Sequence, residues 1–360
     1  MNTIDLRSDT VSHPTPAMRK AMAEAVVGDD VFGDDPTVLE LQAYAADLLG
    51  KEDALFVSSG TQGNLVACLT HCGRGDELIV GKQAHIFQYE QGGSSVLGGI
   101  VMSQVPVQPN GELKLDDIKA SLRTPNEDHH PITKLICLEN TQGGVGGVPI
   151  TAEYTATIGE FAHAHGYKLH IDGARLFNAA AALNVEAREL VKHADSVSIC
   201  LSKGLIAPIG SLLVGSKDFI RQARRNRKLL GGGMRQVGIL AAAGLISLKE
   251  MRLRLAEDHA TAQQLADGLA EIPGITVHPI HQRTNMLYFS IPETLDAADF
   301  VAAMKAQNII LRGGPHFRAV THYWIKPEHI QIMLNAVYEY MKQHAGEFTS
   351  AANVMTKNAY

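Results

Sequence analysis

Lys203 stands where an uncharged run, Ser196-Val197-Ser198-Ile199-Cys200-Leu201, gives way to the polar turn Ser202-Lys203-Gly204. Such a run reads as a short strand buried on both faces. That sets a primary amine at a strand end, where open α/β sheets bind their ligands. An amine partly withdrawn from water loses its proton more easily and attacks carbonyl carbons. Lys203 is therefore a candidate Schiff-base lysine; the alternative is a solvated lysine in a turn. A second strand lies upstream in Lys168-Leu169-His170-Ile171-Asp172-Gly173-Ala174-Arg175, and it ends in a carboxylate. Alone, Asp172 reads equally as a helix cap or turn former. Paired with Lys203 it has a chemical meaning: the amine condenses with an aldehyde while the carboxylate keeps a pyridine nitrogen protonated, which is what pyridoxal phosphate requires.

A third element supplies an anion site. Ala54-Leu55-Phe56-Val57 reads as a strand, followed by Ser58-Ser59-Gly60-Thr61-Gln62-Gly63-Asn64 and a helix to about Thr70. Small hydroxyl and glycine residues at a strand-to-helix turn leave backbone N–H groups and a helix dipole for a phosphate; a simple Ser/Thr cap is the alternative. The stretch matches neither a Walker loop nor a GxGxxG fingerprint.

The elements that position these residues alternate. Strands are expected at Glu77 to Val80, Ile100 to Gln104, Leu135 to Leu138, Leu169 to Asp172, Ser196 to Leu201 and Gly210 to Val214. Helices are expected at Thr15 to Ala25, Thr37 to Leu49, Leu115 to Arg123 and Ala152 to His165. The alternation implies an α/β fold, with a mostly parallel, seven-stranded-type sheet between helices. An alanine- and leucine-rich stretch, Ile239 to about Gly268, reads as one long helical region. Beyond it short strands and helices suggest a small α+β unit. The expected domains are a large one at 1–250 with an extended N-terminal arm at 1–14, a small one at 251–345, and a tail at 346–360. The loop Gly28-Asp29-Asp30-Val31-Phe32-Gly33-Asp34-Asp35-Pro36 holds four carboxylates that must cap helices or be paired, and Asp35-Pro36 suits a helix start.

A chain of 360 residues, 45% hydrophobic, can bury a large core. Its net charge of −6 and lack of a long basic run argue against a nucleic-acid surface. The one cationic cluster, Arg221, Arg224, Arg225, Arg227 and Lys228, reads at first as a solvated helix face. Cys68, Cys72, Cys137 and Cys200 read as reduced thiols rather than disulfides or a zinc site. With no apolar leader and no long apolar run, a soluble, cytoplasmic protein that does not enter membranes is expected.

With cradle, ring-nitrogen acid and lysine in that order, the chain resembles the fold type I pyridoxal-phosphate enzymes, and more closely the low-specificity L-threonine aldolases. The resembling segments include Leu6-Arg7-Ser8-Asp9-Thr10-Val11, the acidic loop, Ser59-Gly60-Thr61-Gln62, Ala84-His85-Ile86, Leu138-Glu139-Asn140-Thr141, His170 to Asn178, Ser198 to Gly204 and Gly231-Gly232-Gly233-Met234-Arg235-Gln236. The resemblance implies retro-aldol cleavage of L-threonine or L-allo-threonine to glycine and acetaldehyde, with another lyase or aminotransferase activity on small amino acids as the alternative. It implies Lys203 as the cofactor's amine, Asp172 on the pyridine nitrogen, Ser59, Gly60 and Thr61 on the phosphate, and His85 stacked on the ring. Ser8, Arg175 and Arg318 would hold the substrate carboxylate. Lys228 and Arg235 would reach the phosphate of a neighbouring subunit, so a homo-oligomer, a dimer of dimers with shared sites, is implied. His85 or His129 would be the base, and no metal is implied. Two positions depart from the family: Phe32 replaces a tyrosine, and Gln142 replaces a histidine.

Overall fold

The computed structural model describes residues 3–124, 127–280, 283–314 and 316–346. Its strands are β1 (Ile4–Asp5), β2 (Asp53–Val57), β3 (Asp76–Gly81), β4 (Val101–Val105), β5 (Ile132–Glu139), β6 (Lys168–Asp172), β7 (Ser196–Cys200), β8 (Ser211–Gly215), β9 (Thr276–Val277), β10 (Met286–Ser290), β11 (Ile309–Ile310) and β12 (Phe317–Val320). Contacts divide the chain into a large unit, 13–255, and a small unit, 1–12 with 256–360.

In the large unit seven strands run in the order β2-β8-β7-β6-β5-β3-β4. Only β8 is antiparallel to its neighbours; the other pairings are parallel. Every residue of β7 and β8 is buried, as expected of strands covered on both faces. Helices fill the crossovers, and their starts follow local chemistry. Thr15, Asp35, Ser59, Thr151 and Ser216 each accept a backbone N–H of the first turn, with Pro16 and Pro36 opening two of these helices.

The four acids of the 28–36 loop are engaged. Asp35 caps the helix Pro36–Leu48 and also accepts from Gly238 N at 2.9 Å. Asp30 pairs with the buried Arg227 at 2.7 Å, and Asp29 pairs with Arg235 at 2.9 Å. Asp34 accepts from the Asp29 N–H.

Three expectations change. The stretch from Ile239 is not one helix: Gly238–Lys249 ends, Met251–Arg254 winds as a 3₁₀ turn, and Leu255–Ala270 begins a new helix. Lys249, Glu250, Arg252 and Arg254 interrupt the apolar face, and the Arg252 guanidinium donates to the Leu248 carbonyl at 2.7 Å, satisfying an end carbonyl. The unit boundary accordingly falls between Leu255 and Ala256 rather than at 250. The N-terminal arm, assigned from sequence to the large domain, folds with the small unit through parallel pairing of Ile4 and Asp5 with Ile309 and Ile310.

The small unit carries the antiparallel sheet β12-β10-β9. Its core is aromatic: Phe317 stacks on Phe289 at 5.2 Å, and Phe300 packs against Phe317 at 5.0 Å and Tyr340 at 5.1 Å. Residues 347–360 of the expected tail lie outside the described residues.

Candidate active site

The parallel strands end together at one edge of the large sheet. Glu139 is the last residue of β5 and Asp172 the last of β6, and they are register partners. Lys203 follows three residues after the end of β7. Because β2 and β7 both run antiparallel to β8, the helix Gly60–His71 also starts at this edge. A β-carbon on Gly60 would lie 2.7 Å from Cys200 Sγ, which shows how closely this helix start abuts β7. A side chain there would have to displace the Cys200 thiol.

Asp172 is buried and held on both oxygens. Oδ2 accepts from the Asn64 amide at 2.8 Å, and Oδ1 accepts from Ala174 N at 3.1 Å. The same Asn64 amide nitrogen donates to Glu90 Oε1 at 2.8 Å. Glu90 Oε1 lies 2.8 Å from His85 Nδ1, the geometry of an imidazole N–H donating to a carboxylate. This bond raises the His85 pKa above its ordinary value, against the desolvation that opposes it. Lys203 lies near enough for its charge to oppose the same rise. Burial raises the Glu90 carboxyl despite the bonds it receives. Burial first, and the charge of Asp172 second, push Glu139 up to about 7. Glu139 accepts from His85 N at 2.7 Å and from Gly143 N at 2.8 Å, so it fixes the backbone that presents the imidazole.

Lys203 occupies a tight turn. Its carbonyl accepts from Ile206 N at 2.9 Å, and Ala207 N returns to Leu201 O at 3.0 Å. Ile206 has φ of 55°, a conformation that a β-branched residue adopts only under constraint. Strain of this kind gathers at functional sites.

Other expected residues fall in several places. Ser59 caps the Gly60–His71 helix, with Thr61 in its first turn. Arg175 precedes the helix Leu176–Leu183, and its Nη1 comes within 3.9 Å of where a β-carbon on Gly143 would sit, beside the Glu139 loop. Lys228 lines a cavity of about 890 Å³ with Arg221, Arg224, Arg225 and Gly233. The turn at 231–233 lies by the cradle helix, since a β-carbon on Gly232 would overlap the Gln62 amide. Ser8 and Arg318 belong to the small unit. Ser8 Oγ caps a 3₁₀ turn by accepting from Thr10 N at 3.2 Å. Arg318 sits in β12 and donates from Nη2 to Arg7 O at 3.1 Å.

His129 is not brought to His85. It precedes β5 on an exposed loop, with Glu127 3.9 Å from its ring, whereas Glu139 and the His85 contact lie at the far end of that strand. Eight extended residues span roughly 26 Å. Among the departures, Phe32 is 79% exposed, while Gln142 is buried. Gln142 Oε1 accepts from Gly144 and Val145, and Nε2 donates to Glu139 at 3.3 Å.

Asn64, Glu90, Glu139 and His170 escaped the sequence reading. Glu139 carried a usable signal, a carboxylate closing a strand, the same one that marks Asp172. Asn64 and Glu90 carried none, since only the folded register brings them to the strand ends.

A profile of the beta-eliminating lyases matches residues 5–292. A probable low-specificity L-threonine aldolase of Arabidopsis thaliana is 53% identical over 295 residues, 81% of this chain and 83% of that protein. The low specificity L-threonine aldolase of Escherichia coli K12 is 48% identical over 327 residues, 91% of this chain and 96% of that one. The chain belongs to the beta-eliminating lyase family, among its low-specificity L-threonine aldolases. A solved threonine aldolase from Leishmania major shares the fold, with a TM-score of 0.80 at 23% identity, covering 94% of this chain and 99% of that one. The family match spans every expected site residue except Arg318.

Proposed function

We propose that this chain is a pyridoxal-phosphate-dependent aldolase that cleaves L-threonine, L-allo-threonine and related L-3-hydroxy-α-amino acids to glycine and an aldehyde. The observation that carries the reading is the buried Asp172, fixed by Asn64 at the end of β6, with Lys203 just past the adjoining strand β7. Membership of the family, and the names of its relatives, agree with it.

The residues fit the cofactor. The start of the Gly60–His71 helix offers backbone N–H groups to a phosphate, and the bare glycine permits close approach. Each Asp172 oxygen accepts one described bond, which leaves lone pairs for a pyridinium N–H. Lys203 supplies the amine that holds the aldehyde carbon. When bound, pyridoxal phosphate supplies an electron sink for the Cα–Cβ bond.

The protein's own groups orient the substrate and move its proton. Arg175 binds the carboxylate through the guanidinium fork. Arg318 Nε is buried and has no hydrogen-bond partner among the described residues. Glu90 holds the Nδ1 proton of His85, leaving Nε2 to take the proton of the substrate β-hydroxyl. The bond to Glu90 strengthens that base. Within the chain His129 lies at the other end of β5 from His85.

Lys228 and Arg235 complete the phosphate site of a neighbouring copy in a dimer of dimers. The arginine-lined cavity beside Lys228 and the 77% exposure of Leu229 support a second chain there. Sedimentation of the active enzyme checks this, and an active monomer would refute it. The reaction itself is tested by giving purified enzyme L-threonine. Glycine and acetaldehyde in equal amounts are expected. Ammonia with 2-oxobutyrate would instead mark a β-elimination, and a keto acid formed without free ammonia a transamination.

A further inference from the structure

The bonds around Asp172 continue through the sheet. Asn64 and His71 lie seven residues, about two turns, apart on one helix, so they share the face that packs on β6 and β7. Beneath that face His170 of β6 and Ser196 of β7 are register partners. His170 Nε2 is 3.2 Å from Asn64 Oδ1, His170 Nδ1 is 2.8 Å from Ser196 Oγ, and Ser196 Oγ is 2.7 Å from His71 Nε2. His71 stacks on Phe219 and borders a cavity of about 470 Å³ that Lys51, Asp195 and Phe219 also line.

The direction of every bond in this series is fixed by its first member. Asn64 Nδ2 faces two carboxylates, Asp172 and Glu90, and only its N–H groups can serve both. Asn64 Oδ1 must then accept, so His170 carries its proton on Nε2. Its bare Nδ1 accepts from the Ser196 hydroxyl, and the Ser196 oxygen accepts from the His71 Nε2–H. Burial lowers His170 to about 4 and His71 to about 3, so both rings stay neutral near pH 7. The groups acting on them are Asp172 and the Ser196 backbone on His170, and His170, Asp195 and Lys168 on His71.

We propose that Asn64, His170, Ser196 and His71 are positioning residues: a one-way hydrogen-bond relay that locks the Asn64 amide, and through it sets Asp172 against the cofactor ring and Glu90 against His85. Without the donor at His170, the Asn64 amide can rotate and turn its oxygen towards a carboxylate, loosening both groups. The relay rests on the assignment of Asp172 to the pyridine nitrogen.

The test compares three variants of the intact enzyme. His170→Phe fills the space without a donor, and His170→Gln retains an N–H where Nε2 was. Asp172→Asn tests the assignment itself. His170→Phe is expected to lower kcat roughly tenfold or more, as loss of a partner behind an active-site ligand does, with KM changed less than about threefold. It should also weaken equilibrium binding of pyridoxal phosphate to the apoenzyme, and His170→Gln should restore both. In the wild-type holoenzyme, ¹⁵N resonances should show His170 and His71 as neutral Nε2–H tautomers across about pH 6 to 8. That measurement decides the matter even if His170→Phe does not fold. An Nδ1–H tautomer at His170, or wild-type kcat and cofactor affinity in His170→Phe, would overturn the relay while leaving the site reading intact, provided Asp172→Asn loses both. Wild-type behaviour in Asp172→Asn would remove the site reading and the relay with it.

Discussion

The two units bury different things at their centres. Under the strand ends of the large unit lies a connected polar group, Asn64, His170, Asp172 and Glu90, each at most 8% exposed, with His170, Asp172 and Glu90 all bonded to the Asn64 amide. The small unit buries rings, with Phe289, Phe300 and Phe317 fully or almost fully enclosed. Both arrangements remove freedom from side chains. The first does so with directional bonds whose geometry matters to chemistry, the second with apolar area whose amount matters to stability. Substitutions should therefore separate the two effects.

The largest separation is expected at Lys203→Ala. Turnover should fall at least about ten-thousandfold, because the amine is a reacting group. The unfolding free energy of the apoprotein should move by less than about 1 kcal/mol, since little packing is lost. Near-normal turnover would sink the assignment.

Phe300→Ala inverts the pattern. Removing a ring packed against Phe317 and Tyr340 should cost about 3–5 kcal/mol in denaturant unfolding of the small unit. A loss below about 1 kcal/mol would show that these ring contacts contribute little.

A smaller effect distinguishes the two centres by pH. His71 and His170 have folded pKa values below the ordinary 6.5, at about 3 and about 4. The unfolded chain therefore binds protons there that the folded chain refuses. Stability from each is complete above about pH 6.5 and lost as pH falls towards the folded value. Glu139, raised from 4.5 to about 7, works oppositely: its contribution is complete below about 4.5 and lost as pH rises to 7. His71→Phe keeps a ring against Phe219 and removes one acid-side loss. Compared with wild type, its stability at pH 5 relative to pH 7 should improve by about 2 kcal/mol. Calorimetry at both pH values measures it, and identical pH profiles would contradict a neutral, half-buried His71.

The smallest expected effect is selectivity at Cβ. Strong discrimination needs a fixed polar partner that one isomer leaves unpaired. Gln142 spends its described bonds on Gly144, Val145 and Glu139, and Phe32 has no polar group to offer. L-Threonine and L-allo-threonine should differ by less than about tenfold in kcat/KM, or about 1.4 kcal/mol. A much larger ratio would reveal a specific partner for the hydroxyl, and Gln142→His would be the first variant to examine.

How much of this was legible depended on whether the signal was local. The uncharged run before Lys203, the strand ending at Asp172 and the Ser59-Gly60 helix start are local, and the sheet formed around them as expected. His170 stood in plain view between Leu169 and Ile171, but a histidine inside a strand has no meaning until its register partner Ser196 is known. The distance of His129 from a strand fixed its position along the chain while leaving open which end of that strand mattered. Glu250 and its neighbours broke a helix that composition alone made continuous.

The pairing of β1 with β11 joins residues near opposite ends of the chain. During synthesis the first dozen residues leave the ribosome long before their partner strand exists, and closing a loop of roughly 300 residues comes at an entropic cost that the later strand alone can offset. The large unit, residues 13–255, has all its strands in hand by then. The segment that forms β1 is thus a late-folding piece, and a truncation that removes it would register in the integrity of the small unit built from residues roughly 300 positions later.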